Sequence, residues 1–348
     1  MKCLLCKKEK IVSKELGVCK ECILENFEKA KKFIFKAHKK ARQPFSLFYP
    51  PPKTKSAKKC FLCFNECQIK EGETGFCGIR ECKNGKISSK VGEDWAVLEF
   101  YFDPLPTNCV ASFCCQGSKM MGKKNLALFY GACNFDCLFC QNWHYRYLTQ
   151  KLQPKYHFKE IVDAIDEDTF CICFFGGDPT PQIFHAFKIC EEAIKKNIRI
   201  CWETNGAQKR EIIEKMAEFS LKTGGIVKFD LKAFDERLHI ALTGVSNKRT
   251  FENFEFLAKN YLKKAKKPFL VASTLLVPGY IDEKEVEKIA KFIASLDPEI
   301  PYSLLAFYPH FLMKDLPLTS KKLAFLCYEQ AKKAGLKNVN LGNLHLLV

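Results

Sequence analysis

No stretch of 18 consecutive apolar residues occurs in this 348-residue chain, and its opening Met1-Lys2-Cys3 begins no apolar signal core. A membrane-crossing helix needs about 20 apolar residues in a row, so we expect no membrane span, no secretion and a cytoplasmic location. The chain also lacks compositional bias: 47% hydrophobic and 27% charged residues exclude disordered and collagen-like classes. No internal repeat is found. Acidic residues are the scarcer charge, 39 against 56 Lys+Arg, and the deficit is local. Residues 1–59 hold 17 Lys+Arg and 5 Glu, which accounts for +12 of the total +17. A basic appendage on a nearly neutral body is the expectation. The length suits one large α/β domain with appendages.

Cysteine is what the chain has in excess. Of twenty, fifteen fall before residue 141, many as Cys-x2-Cys pairs. Clustered thiols without a secretion signal point to metal rather than disulfides.

Three segments follow from texture. Residues 1–59 carry Cys3-x2-Cys6, then Cys19-x2-Cys22, then an amphipathic lysine-rich helix over about 20–42 and an extended linker, Tyr49-Pro50-Pro51-Pro52-Lys53-Thr54-Lys55. Residues 60–122 are cysteine-rich and dense in turn signals such as Glu71-Gly72 and Asn84-Gly85, which predicts only short regular structure. Residues 123–348 alternate strand and helix. Strands are expected at 126–130, 169–175, 199–203, 226–231, 269–277 and 302–308, with a seventh strand at 339–347 closing one edge. Helices are expected at 157–165, 183–195, 208–221, 251–264, 283–295 and 321–334. Such alternation builds a parallel sheet, either curled into a partial barrel or flat and doubly wound. Both place active sites just after the strands.

Just after the first of these strands comes Cys133-Asn134-Phe135-Asp136-Cys137-Leu138-Phe139-Cys140. A [4Fe–4S] cluster ordinarily takes four thiolates, so three leave one iron open for a chelating amine and carboxylate. Phe135 and Phe139 would shield it. Gly176-Gly177-Asp178-Pro179-Thr180 follows the second strand and permits close backbone approach, or is simply a strand-to-helix turn. Glu203-Thr204-Asn205-Gly206 follows the third strand, and Asp230-Leu231-Lys232 the fourth. Asp230 and Lys232 read equally as a structural ion pair. His239-x3-Thr243-Gly244-Val245-Ser246-Asn247 and Val277-Pro278-Gly279-Tyr280-x-Asp282 complete the ordered set.

Elsewhere, Cys3, Cys6, Cys19 and Cys22 have the spacing of a zinc ribbon, with an auxiliary iron–sulfur centre as the chief alternative. Cys60, Cys63, Cys67 and Cys77 suffice for a closed zinc or cluster site. Cys82 is a spare ligand or a bystander. Cys109, Cys114 and Cys115 fit an auxiliary cluster, a radical-relay thiol or buried small apolar side chains, while Cys171 and Cys173 read as core. The lysine-rich helix offers a face for nucleic acid or an acidic protein, or merely a solvated surface.

Together, Cys133 to Trp143 and the later motifs resemble the radical S-adenosylmethionine (radical SAM) superfamily. Within it, the branch of pyruvate formate-lyase activating enzymes and AmmeMemoRadiSam proteins is the most similar, over residues 60–348. Cys60 to Arg80 resembles the amino-terminal cysteine motif of the AmmeMemoRadiSam group. The resemblance implies a partial (β/α)6 TIM-like barrel in which Cys133, Cys137 and Cys140 hold a [4Fe–4S] cluster. It implies that Gly176, Gly177 and Asp178 receive the methionyl amine of S-adenosylmethionine, where the family usually has Glu rather than Asp. Glu203, Asn205, Asp230 and Lys232 would be further cofactor contacts. An electron donor of ferredoxin or flavodoxin type would reduce the cluster, S-adenosylmethionine would be cleaved, and the 5′-deoxyadenosyl radical would abstract a substrate hydrogen. A glycine of a partner protein is the substrate suggested by the activating enzymes. RNA is suggested instead by the basic appendage, and a zinc-ribbon adaptor for nucleic acid or protein is the non-enzymatic alternative. One departure is Pro301-Tyr302-Ser303, where relatives often carry Pro-Tyr-His.

Overall fold

A computed structural model describes residues 1–265 and 268–348. Two small antiparallel pairs come first: β1 (Lys58–Lys59) with β2 (Gln68–Ile69), and β3 (Arg80–Lys83) with β4 (Lys86–Ser89). The main sheet holds β5 (Trp95–Pro104), β6 (Lys124–Tyr130), β7 (Lys155–His157), β8 (Thr169–Gly176), β9 (Arg199–Thr204), β10 (Val227–Asp230), β11 (Leu270–Leu276), β12 (Tyr302–Ala306) and β13 (Val339–Gly342). Their order is β13-β12-β11-β10-β9-β8-β6-β5-β7. Every pairing from β6 through β13 is parallel; β5 runs antiparallel to both β6 and β7. The sheet is therefore an open, partial barrel of α/β type with an antiparallel edge.

Helices α1 (Lys20–Glu25), α2 (Phe27–Arg42), α3 (Tyr145–Lys151), α4 (Phe158–Asp163), α5 (Ile183–Lys195), α6 (Arg210–Thr223), α7 (Glu236–Thr243), α8 (Lys248–Tyr261), α9 (Glu283–Leu296) and α10 (Lys321–Lys333) follow the chain. Central strands need apolar residues on both faces because helices cover the sheet. Strand β6, Lys-Asn-Leu-Ala-Leu-Phe-Tyr, is buried from its second residue onward. Trp202 of β9 stacks on Phe174 of β8 at 4.3 Å between ring centroids and is fully buried.

The expected edge strand is present as β13, parallel to β12. Two expectations are corrected. The single helix over 20–42 is broken at Asn26, whose φ of −132° and ψ of 48° separate α1 from α2. Asparagine competes with helix through local hydrogen bonding, which suits it to such a break. The cysteine-rich segment also contains the ten-residue β5. Its outer half is mostly exposed, so its burial pattern carries no clean alternation.

The amino-terminal elements pack against the barrel. Ser13 N donates to Tyr280 Oη at 3.1 Å, and that hydroxyl donates to Val18 O at 3.1 Å. Lys20 Nζ meets Asp282 Oδ1 at 2.5 Å. Gly279, at φ +80°, touches the backbone of Ile11, and a Cβ there would collide with it. Tyr49 stacks on buried His38 at 5.1 Å, so the proline-rich segment begins packed rather than free. Residues 62–64 dock on the turn after β9, through Phe64 N to Ala207 O and Lys209 N to Leu62 O, both 2.9 Å.

Candidate active site

The strands β6, β8, β9, β10 and β11 end on one side, and the loops after them enclose a cavity of about 880 Å³ including its mouth. Its walls include Cys133, Cys137 and Cys140, with Gly176, Gly177, Asp178, Glu203, Asn205, Asp230 and Lys232. The residues singled out along the sequence thus converge on one place.

The three-cysteine loop is held by hydrogen bonds from several elements. Ala132, at φ +72°, donates its N–H to Thr149 Oγ1 at 2.8 Å. Asp136 N donates to Thr243 O at 2.8 Å and Leu138 N to Leu242 O at 3.0 Å. This gives the His239-x3-Thr243 motif a physical role, since the end of α7 cradles the loop. His239 itself turns Nδ1 to Val245 O at 2.7 Å.

Asp136 is fully buried and anchors the loop electrostatically. Its carboxylate meets His38 Nδ1 at 2.8 Å, Arg146 Nη2 at 2.8 Å and Arg42 Nη1 at 3.4 Å. Burial alone would raise its pKa; Arg42, His38 and Arg146 together hold it well below the usual carboxylate range. Arg42 also packs over the Phe76 ring at 3.6 Å. The sequence reading missed this network. The acid lies visibly inside the cysteine loop, but its partners on α2 are remote in the chain.

Gly176 and Gly177 serve a tighter purpose than a ligand gap. A Cβ at Gly176 would sit 2.5 Å from Tyr130 N, and one at Gly177 would overlap Ala132 O. Gly177 N donates to Tyr130 O at 2.8 Å and Asp178 N to Ala132 O at 3.0 Å. These glycines lock the end of β8 onto the entry to the cysteine loop.

Asp178 is 1% exposed. Its Oδ2 accepts from Thr204 Oγ1 and Asn205 N at 2.9 Å each, and its Oδ1 from Thr180 N at 2.9 Å and from Thr180 Oγ1. Burial nonetheless raises its pKa. Asn205 Nδ2 reaches Asn134 Oδ1 at 2.6 Å, beside Cys133. Lys232 Nζ pairs with Asp230 Oδ2 at 2.9 Å, and Asp230 Oδ1 accepts from Ser273 Oγ at 2.7 Å. Ser303 lies outside these walls, buried, with Asn340 Nδ2 donating to its Oγ at 3.3 Å.

Glu203 belongs to two cavities. Below the first lies a second, of about 780 Å³ including its mouth, lined by β6, β8, β9 and β10 and sharing Phe175 and Glu203 with it. Glu203 Oε1 accepts from Lys228 Nζ at 2.7 Å, a cross-strand pair in register between β9 and β10. Lys228 also reaches Cys109 Sγ at 3.1 Å and Cys173 Sγ at 3.2 Å. Cys109, Cys115, Cys171, Cys173 and Cys201 all face this space, so Cys171 and Cys173 line a cavity rather than sealed core. Burial pushes the Cys109 thiol up to about 12, against the pull of Lys228.

The cysteine sets differ in spacing. Cys3, Cys6, Cys19 and Cys22 bring all four sulfurs within 4.8 Å of one another; Cys3 to Cys22 is 3.7 Å and Cys6 to Cys19 is 3.9 Å. A tetrahedral zinc with Zn–S of about 2.3 Å requires sulfurs about 3.8 Å apart, so this set fits one ion. Among the described residues, no other three cysteine, histidine or acidic ligand atoms are that close. Cys133, Cys137 and Cys140 line one cavity, but their three sulfurs do not all come within 4.8 Å of one another, so they do not close on a single ion as the first set does. Burial raises all three thiols, Cys137 to about 12, so any metal bound there would have to displace their protons. No helix is long and apolar enough to cross a membrane among the described residues.

The sequence profile of the radical SAM superfamily matches residues 128–293. A Methanocaldococcus jannaschii protein named as a glycyl-radical enzyme activating enzyme is 30% identical over 197 residues, covering 54% of this chain and 68% of that protein. An uncharacterized protein of the same organism is 25% identical over 290 residues, covering 80% of this chain and 73% of that one. Pyruvate formate-lyase 1-activating enzyme of Escherichia coli K12 is 24% identical over 192 residues, covering 52% and 72%.

Proposed function

Because the chain belongs to the radical SAM superfamily, we propose that Cys133, Cys137 and Cys140 hold its [4Fe–4S] cluster and that the cavity above them receives S-adenosylmethionine. The convergence of the three thiols with Gly176, Gly177, Asp178, Asn205, Asp230 and Lys232 on one cavity carries this reading. When bound, cluster and cofactor supply reductive cleavage to a carbon radical that removes a hydrogen atom from a substrate. The chain's own residues bind, orient and exclude water. Lys232 and Asp230 offer a cation and an anion on the cavity wall, matched to the carboxylate and the amine or ribose of a zwitterionic ligand. Asp178 acts through the turn it pins, setting the position of Asn205 beside Cys133. Phe135 and Phe139 line the cavity and limit solvent.

Cys3, Cys6, Cys19 and Cys22 hold a structural zinc in this reading, since their sulfur separations match a tetrahedral ion. Residues 1–59, 60–122 and 123–348 form a ribbon module, a cysteine-rich segment and the barrel in this reading, with β5 of the second segment completing the barrel sheet as its antiparallel edge. The activating-enzyme relatives favour a partner protein as hydrogen donor. A flavodoxin- or ferredoxin-type protein is the electron source.

Electron paramagnetic resonance tests the site. Anaerobically reconstituted, dithionite-reduced protein should change its signal on adding S-adenosylmethionine, and Cys137→Ala should show no such change. A wild-type spectrum indifferent to the cofactor contradicts the assignment.

A further inference from the structure

Cys60, Cys63, Cys67 and Cys77 line a single pocket of about 330 Å³ including its mouth. No three of these sulfurs come within 4.8 Å of one another, whereas the Cys3, Cys6, Cys19 and Cys22 set closes to that distance in the same chain. They share the wider spacing with the three-cysteine loop. Four thiolates on four separate irons stand farther apart than four on one ion.

Two residues of the same cavity wall carry an unpartnered buried donor. Arg80 is 4% exposed, pairs through Nη1 with Glu93 at 2.9 Å, and leaves its buried Nε without a partner. Asn134 is 1% exposed, and its buried Nδ2 also lacks a partner. Buried N–H groups are ordinarily satisfied, and cluster sulfurs are acceptors of this kind. A cluster bound by four thiolates would be anionic, and Arg80, paired on its Nη1 side with Glu93, places a cation close enough to lower the Cys60 pKa against the effect of burial. A wall of cysteines with two idle donors is not what an apolar core requires.

The cavity also adjoins the catalytic loop. Asn65, between Cys63 and Cys67, donates Nδ2 to Asn134 O at 2.7 Å, and Asn134 is the chain neighbour of Cys133. Asn134 thus contributes to both cysteine sites.

We propose that Cys60, Cys63, Cys67 and Cys77 hold a second iron–sulfur cluster, which relays single electrons to the three-cysteine loop. This rests on the reading of Cys133, Cys137 and Cys140 as a cluster site. A one-electron donor of flavodoxin or ferredoxin type is oxidised by one electron. The second cluster gains that electron and passes it on, and no covalent bond or proton changes hands between the two sites.

The test counts iron before it measures any turnover. The triple variant Cys133→Ala, Cys137→Ala, Cys140→Ala, reconstituted anaerobically, should keep about four iron and four sulfide per chain, against about eight of each in the wild type. Zinc in that variant, or no iron, overturns the proposal. The converse variant Cys63→Ser/Cys67→Ser covers a failure of the first to fold, and should fall from about eight iron to about four. Retention of all wild-type iron overturns the site. Arg80→Gln should keep the iron count and move one reduction potential to more negative values, because a nearby cation is lost; unmoved potentials contradict the placement of Arg80. For the relay, reduction of the catalytic cluster by reduced flavodoxin should slow by about tenfold or more in Cys63→Ser/Cys67→Ser. An unchanged rate overturns the relay while leaving the catalytic site standing. The iron counts need no S-adenosylmethionine, so they separate failure of the second cluster from failure of the enzyme reading.

Discussion

His38 Nδ1 lies 2.8 Å from Asp136 Oδ2, a contact that spans 98 positions and ties helix α2 to the middle of the three-cysteine loop. Both side chains are fully buried. The amino-terminal segment is thereby a structural support of the candidate cluster site, and two of its basic residues, His38 and Arg42, are spent on that contact. The exposed Lys29, Lys32, Lys36 and Lys39 remain as a basic face.

Asp136→Asn removes the anion that Arg42, Arg146 and His38 share. Breaking a buried ion pair from one side costs about 3–5 kcal/mol, so the variant should unfold at clearly lower urea. Iron retained at the three-cysteine loop should fall with it. Wild-type stability in equilibrium unfolding contradicts the anchoring role.

Gly177→Ala drives a Cβ into the carbonyl of Ala132, which is backbone and cannot swing aside. Overpacking of this kind costs about 1–3 kcal/mol. The loop entering Cys133 should shift, seen as reduced iron loading of purified protein even where the chain still folds. Gly72→Ala is the control, since its Cβ meets nothing within 4 Å. That substitution also sits at positive φ, so some loss of stability is expected there, but none of iron.

Zinc analysis should find one ion per chain that survives loss of all iron. Cys19→Ser should release it and loosen the contacts made by Ser13, Val18 and Lys20 with Tyr280 and Asp282. Limited proteolysis within residues 1–30 then becomes faster. Equal cleavage rates with and without the metal contradict a structural zinc.

Two buried histidines set an acid limit. Burial pushes the imidazoles of His185 and His239 down from 6.5 to about 3. Between those values the unfolded chain binds protons that the native chain refuses, so their stability contribution is complete above about pH 6.5 and lost as pH falls toward 3. Each contributes a slope of about 1.4 kcal/mol per pH unit in that window. Urea midpoints measured at pH 7, 5.5 and 4.5 should drop accordingly, and H185Q should reduce the slope.

The barrel was legible because strand and helix alternate in local patterns that survive without neighbours. Leu126–Tyr130 and Ile183–Lys195 carry their periods on their own. The three cysteines and the motifs after β8, β9 and β10 were legible because their spacing is short and they follow strand ends. Partnerships made by folding were not. Lys228 meets Glu203 only through the register of β10 on β9, and the Asp136 network draws on α2 and α3. Strand β5 was hidden by its exposed outer half, where no alternation marks a buried face. Gly176 and Gly177 were noticed for their freedom of approach, but the sequence could not say that the approaching group is the backbone of Tyr130 and Ala132.

Production of 5′-deoxyadenosine tests the catalytic assignment most directly. Reconstituted protein given dithionite and S-adenosylmethionine without oxygen should release it, and Cys137→Ala should release none above background. Wild-type protein with a full complement of iron that yields no more than the Cys137→Ala variant contradicts a radical-generating site at Cys133, Cys137 and Cys140.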